Sequence, residues 1–159
     1  MHGFRQILTE YLQRLRPARI FEWGPGLSTE LMLAHAPGAH ITSVEHDEAW
    51  LHRAVEKFGG GAEILHIPCT DRNSRYATVV YEHAPIDLAF VDGRRRVECV
   101  LVALQCLSPN GLVLLHDACR DNYMRPLRHY AEVVEIRANT AVLRPLRHFQ
   151  RAEPALTTA

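Results

Sequence analysis

Short strand-like runs alternate with helix-like stretches along most of this chain, and that alternation restricts the fold more than any other feature. The runs are Arg19–Trp23, His40–Glu45, residues 62–67, Ile86–Val91 and residues 112–115. Between them, residues 28–35, residues 97–107 and the stretch opened by Asp47 or Glu48 that carries Trp50, Leu51, Ala54, Val55 and Phe58 read as helices. Strands joined through helices run parallel, and the helices cover both faces of their sheet. The nearly continuous apolar character of Ile86–Val91 fits a strand buried on both sides. Ahead of the first strand, Phe4, Ile7, Leu8, Tyr11, Leu12 and Leu15 share one face of an opening helix that Pro17 ends and that covers the sheet. Near the other end a short helix is expected around 123–130. Residues 132–136 and 140–143 then flank Arg137-Ala138-Asn139 as an antiparallel hairpin. Pro109-Asn110-Gly111 reads as the turn into the fifth strand, and residues 71–83 as a loop with an unassigned regular piece. The predicted fold is α/β, a Rossmann-like doubly wound, mostly parallel sheet with a C-terminal antiparallel hairpin.

At 159 residues the chain is predicted to form a single domain over 1–159, with its covering helix in 1–16 and a frayed tail from 147. Lys+Arg and Asp+Glu balance at 18 each, so no net field gathers nucleic acid, and none is expected as a partner. No apolar run approaches the roughly 20 residues of a membrane span, and the start carries no cleavable signal pattern. Cys69, Cys99, Cys106 and Cys119 form no C-x-x-C pair and read as buried thiols of a reducing, cytoplasmic setting. His116 and Cys119 have a metal-like spacing but lack a second ligand pair. Monomer and homodimer both stay open.

Ligands of a doubly wound sheet bind beyond the carboxyl ends of its strands. At the end of the first lies Glu22-Trp23-Gly24-Pro25-Gly26-Leu27-Ser28, where glycines let the backbone turn sharply and approach a ligand. At the end of the second lies Glu45, placed to accept hydrogen bonds from both hydroxyls of a ribose. A dinucleotide would set its pyrophosphate beside Glu22, with Thr29 where a third glycine belongs. Charge disfavours that arrangement, and with it a nicotinamide-dependent oxidoreductase. S-adenosylmethionine carries no phosphate, and its ammonium and sulfonium groups suit an acid at position 22.

The chain resembles the class I S-adenosylmethionine-dependent methyltransferases. The likeness is carried by Ile20-Phe21-Glu22-Trp23-Gly24-Pro25-Gly26, Ser43-Val44-Glu45-His46-Asp47, Leu88-Ala89-Phe90-Val91-Asp92-Gly93 and Gly111-Leu112-Val113-Leu114-Leu115-His116-Asp117. The resemblance implies methionine-side contacts at Glu22, Gly24 and Gly26 within a turn that includes Trp23 and Ser28. It implies a ribose acceptor at Glu45, an adenine neighbour at His46 and an adenine contact at Asp71. Asp71 reads equally well as a turn or helix-cap residue.

Asp92, His116 and Asp117 fall at the ends of the fourth and fifth strands. This part resembles the metal-dependent O-methyltransferases, in which acids at these places hold a magnesium-type ion. The Asn that usually follows the second acid is Ala118 here, so Asp92 and Asp117 stand as metal ligands only if waters complete the shell. Without a metal, His116 or Asp92 takes the acceptor's proton. Arg94-Arg95-Arg96, Arg120, Arg125 and Arg128 flank the same mouth, either as a solvated face or as a clamp for an anionic acceptor. The implied activity is methyl transfer to a small-molecule acceptor, on oxygen. A catalytically inactive S-adenosylmethionine-binding or regulatory domain is the alternative.

Overall fold

The computed structural model describes residues 3–70 and 75–149. Strands β1 (Arg19–Trp23), β2 (His40–Glu45), β3 (Glu63–His66), β4 (Ile86–Val91), β5 (Leu107–His116), β6 (Ala131–Arg137) and β7 (Thr140–Pro145) form one sheet in the order β3-β2-β1-β4-β5-β7-β6. The first five pair in parallel with one another, while β7 runs antiparallel to β5 and β6 antiparallel to β7. The winding reverses between β1 and β4, which opens a crevice at their carboxyl ends.

Both faces of the sheet are covered, as the nearly continuous apolar character of β4 requires. Along β4, Leu88 and Phe90 join a layer with Ile7, Leu8 and Leu12 of α1 (Gly3–Leu15), Met32 of α2 (Leu27–His35) and Ala54 and Phe58 of α3 (Glu48–Phe58). The intervening Ala89 and Val91 join Cys99, Val100 and Ala103 of α4 (Arg96–Cys106) and Met124 and Leu127 of α5 (Asp121–Leu127). This two-residue period places large side chains in both layers, each stabilising the fold by about 1.5–3 kcal/mol.

Several details differ from the sequence reading. β5 begins at Leu107, ahead of Pro109-Asn110-Gly111, because Leu107 already pairs with Ile86 while the register shifts before Leu88 meets Leu112. Asp87 anchors that irregularity by accepting from Ser108 Oγ at 2.7 Å and from the Ala18 and Arg19 N–H groups at 2.8 and 3.0 Å. Residues 78–83 form a 3₁₀ turn. Trp50 and Val55 stay 47% and 48% exposed, so the inward face of α3 is narrower than its apolar spacing suggested. Cys99 and Cys106 are buried, Cys69 is half-buried, and Cys119 is exposed. The hairpin turn consists of Ala138 and Asn139, with φ of 50° and 62°, the positive pair a two-residue hairpin turn requires. Beyond it, Arg147–Phe149 make a further 3₁₀ turn, and the Phe149 ring packs 5.1 Å from Tyr130. Among the described residues no helix is long and apolar enough to cross a membrane.

Candidate active site

The turn after β1 leaves the sheet at Gly24, whose φ of 91° suits glycine. A Cβ there would stand 3.2 Å from Cα of Gly93, and a Cβ on Gly93 would collide with the Tyr76 hydroxyl at 2.1 Å, so the two bare backbones pass in contact. Gly26 opens α2, and the Thr29 hydroxyl accepts its N–H at 2.9 Å. Glu22 lies fully buried beneath this turn. Its carboxyl group accepts from the hydroxyls of Ser28, Thr29 and Ser43, the Thr29 bond being 2.7 Å. Burial drives its pKa up to about 7, against the opposing pull of those three hydroxyls. Trp23 is core: its indole N–H donates to the Tyr76 carbonyl at 2.7 Å, and its ring lies 4.6 Å from that of Phe21.

In front of the turn is a cleft of about 420 Å³, lined by Gly24, Glu45, His46, Trp50, Asp92 and Arg94 among others. Glu45 Oε1 is held by the N–H groups of His46 and Asp47 at 2.6 and 2.8 Å and by His46 Nδ1 at 2.7 Å. Oε2 has no protein partner among the described residues, which leaves it free for a ligand hydroxyl. Asp47 caps α3 by accepting the Trp50 N–H at 2.8 Å. The Trp50 indole in turn donates to the Pro25 carbonyl at 2.8 Å, tying this helix to the glycine turn.

On the far side of Gly93 stand Asp92, His116 and Asp117. His116 Nδ1 lies 3.0 Å from Asp92 Oδ1, and its ring packs 5.1 Å from Phe4. The hydrogen bond to Asp92 is the main cause that raises the His116 pKa; burial opposes it, and the charges of Asp92 and Asp117 reinforce it. Arg96 reaches in from the first turn of α4 with its side chain only 13% exposed. Its Nη2 contacts Asp92 Oδ1 at 2.8 Å and its Nη1 contacts Asp117 Oδ2 at 2.9 Å. It also donates to the carbonyls of Asp92, Gly93 and His116 at 2.9, 3.0 and 2.9 Å. Asp117 Oδ1 accepts from Asn139 Nδ2 at 3.0 Å. A second cleft of about 510 Å³ opens beside Arg94, Arg95, Arg96, Arg120, Asn122 and Tyr123.

A profile described as "methyltransferase domain" matches residues 21–118, from the glycine turn through the Asp92, His116 and Asp117 cluster. The chain belongs to this methyltransferase family. It is a class I, S-adenosylmethionine-dependent methyltransferase, as its motifs suggested. Solved structures share its fold. A methyltransferase-like protein from Silicibacter pomeroyi superposes with a TM-score of 0.75 at 22% identity, covering 90% of this chain and 87% of that one. The SAH-bound methyltransferase PaMTH1 from Podospora anserina gives 0.70 at 17% identity, over 90% and 78% of the two chains. A putative caffeoyl-CoA O-methyltransferase from Staphylococcus aureus gives 0.70 at 15% identity, over 90% and 83%. No curated protein sequence matches it.

Of the site residues that the sequence points to in this methyltransferase, Gly24, Glu45, His46 and Asp92 line the first cleft. His116 contacts Asp92 and Asp117 contacts Arg96, but neither lines this cleft or the second. Glu22, Ser28 and Gly26 stand behind or beside it, and the Trp23 indole is withdrawn into the core. Asp71 lies outside the described residues. Trp50 reads in the sequence as an apolar helix residue, and Arg96 as part of a solvated face or an anion clamp; the structure instead places Trp50 in the cleft lining and turns Arg96 inward onto Asp92 and Asp117. The only available signals were the place of Trp50 in the first turn after Glu45 and of Arg96 four residues after Asp92.

In the methyltransferase the donor set at Asp92 and Asp117 does not fit a magnesium-type ion. The Arg96 guanidinium already bridges the two carboxylates, Asn139 takes another oxygen of Asp117, and Ala118 offers no ligand atom. Magnesium demands near-octahedral oxygen ligation, which this cationic bridge opposes.

Proposed function

We propose that the chain forms a single cytoplasmic domain that methylates an oxygen of a small, anionic acceptor, with His116 as general base and without a divalent metal. The observation that carries this reading is the hydrogen-bonded contact of His116 with Asp92, which itself lines the cleft with Gly24 and Glu45. When bound, S-adenosylmethionine supplies an electrophilic methyl group on a cationic sulfur. Glu45 Oε2 accepts the ribose hydroxyls, His46 borders the adenine, and Gly24 and Gly26 present bare backbone to the methionine portion within the turn closed by Ser28. Glu22 acts from behind as a buried acid whose ionised form a neighbouring cation favours. Asp92 fixes the Nδ1–H tautomer of His116, which leaves Nε2 to take the acceptor's proton as its oxygen attacks the methyl carbon. Arg94, Arg95 and Arg120 at the second cleft suit a carboxylate or phosphate on the acceptor.

Calorimetric titration with S-adenosylmethionine, S-adenosylhomocysteine and NAD, followed by incubation with labelled methyl donor and a panel of hydroxylated anions, tests the reading. Binding of both sulfur ligands but not NAD is expected. Transfer to an oxygen should drop about 10²–10⁴-fold in His116→Ala. Binding of NAD alone, or full activity in that variant, would overturn it.

A further inference from the structure

The opposite end of the sheet carries a second constellation of chemistry-bearing side chains. His40 is the first residue of β2, Glu63 the first of β3, and His83 the last of the 3₁₀ turn ahead of β4. They therefore sit at the amino ends of the strands, away from the glycine turn at the carboxyl ends. Each offers one ligand atom, and those atoms lie within 4.8 Å of one another. We infer that His40, Glu63 and His83 form a binding site for a transition-metal ion of the zinc type.

The donor chemistry decides the class of ion. Two imidazoles and one carboxylate suit zinc, whereas magnesium and calcium select oxygen ligands alone. Zinc bonds of about 2.0–2.2 Å in tetrahedral geometry put donor atoms roughly 3.3–3.5 Å apart. His40 Nε2 and Glu63 Oε2 stand at 3.6 Å, so drawing them onto an ion requires only a slight contraction.

The surroundings already orient the ligands. Buried Thr42 donates its hydroxyl to Glu63 Oε2 at 3.1 Å and lies 3.4 Å from His40 Nε2, which gives the carboxylate an outer hydrogen bond of the kind metal ligands use. The His83 ring packs 5.3 Å from the fully buried Phe21 ring. Three ligands on three elements clip the amino ends of β2 and β3 to the approach to β4. They also leave a fourth position for water or a small anion, next to a cleft of about 400 Å³ lined by His40, His83 and Arg19.

The test is titration of the intact protein with zinc by calorimetry and with cobalt(II) by visible absorption. One ion per chain is expected, with the absorption bands of tetrahedral cobalt and a thermal midpoint that rises with zinc. His40→Ala and Glu63→Gln should each weaken binding about tenfold or more. Asp117→Asn and Cys119→Ser should retain it, which separates this site from the methyl-transfer cluster. His83→Ala also removes packing on Phe21, so the two surface variants decide. Absence of zinc binding in the unaltered protein, or equal binding in His40→Ala and Glu63→Gln, would show that the three are only a solvated cluster.

Discussion

Arg96 changes what two carboxylates are for. All three nitrogens of its guanidinium group are engaged, and together they hold Asp92, Asp117 and the ends of β4 and β5 in one fixed fork. Charge balance is thus met by the chain itself. Methyl transfer is expected to survive EDTA unchanged; activity that disappears with chelator and returns with Mg²⁺ would refute the proposed metal-free route. His116 gives a second expectation. Transfer needs its neutral form, and the Asp92 hydrogen bond raises its pKa above 6.5, so kcat should climb with pH through a midpoint above that value. Asp92→Asn removes the leading cause of the shift, and should lower both the midpoint and kcat in a pH–rate profile. A role of Asp92 in folding alone would leave the midpoint where it was.

The elements that support these residues come from distant parts of the chain. The turn between β6 and β7 reaches back to the end of β5: Asn139 Oδ1 accepts the Cys119 N–H at 2.8 Å, its Nδ2 donates to Asp117, and its carbonyl accepts the Ala118 N–H at 3.0 Å. Asp117 itself sits at φ 61°, a conformation that needs such support. Asn139→Ala should therefore cost about 1–3 kcal/mol in urea unfolding and lower kcat as well, although residue 139 touches no substrate in the proposed site. Urea curves that overlay the parent's would refute this. β1, β2 and β4 were readable to the residue because turn and helix-start signals bound each short run: Pro17 and Gly24, Gly38 and Asp47, Pro85 and Gly93. β5 was not, since the pairing of Leu107 with Ile86 depends on a partner strand 21 residues away. The inward turn of Arg96 was equally hidden, because three consecutive arginines look alike until helix phase and neighbours select one.

For the molecule as a whole, doubly wound topology was legible from alternation alone, and the site followed from where such a sheet reverses. Position 22 could be recognised as acidic, but not as sealed beneath three hydroxyls. That burial predicts how global stability responds to pH. A carboxyl whose pKa rises from 4.5 to about 7 on folding adds stability that is fully present below pH 4.5 and lost as pH climbs through 7. His116, also raised, acts in the same direction above pH 6.5. Asp87, held below 3.8 by hydrogen bonds that outweigh its burial, adds stability that is lost in strong acid. Unliganded protein should consequently melt highest at mildly acidic pH. It should lose on the order of 3 kcal/mol toward pH 8 through Glu22. Calorimetric scans should show Glu22→Gln flattening that slope, and a slope unchanged in the variant would refute the assignment. The contact between Gly24 and Gly93 carries a different kind of consequence. Neither partner has anything smaller to become, so harm done at one site has no compensating exchange at the other. For descendants of this chain, the touching backbones just beyond β1 and β4 are therefore an evolutionary dead stop.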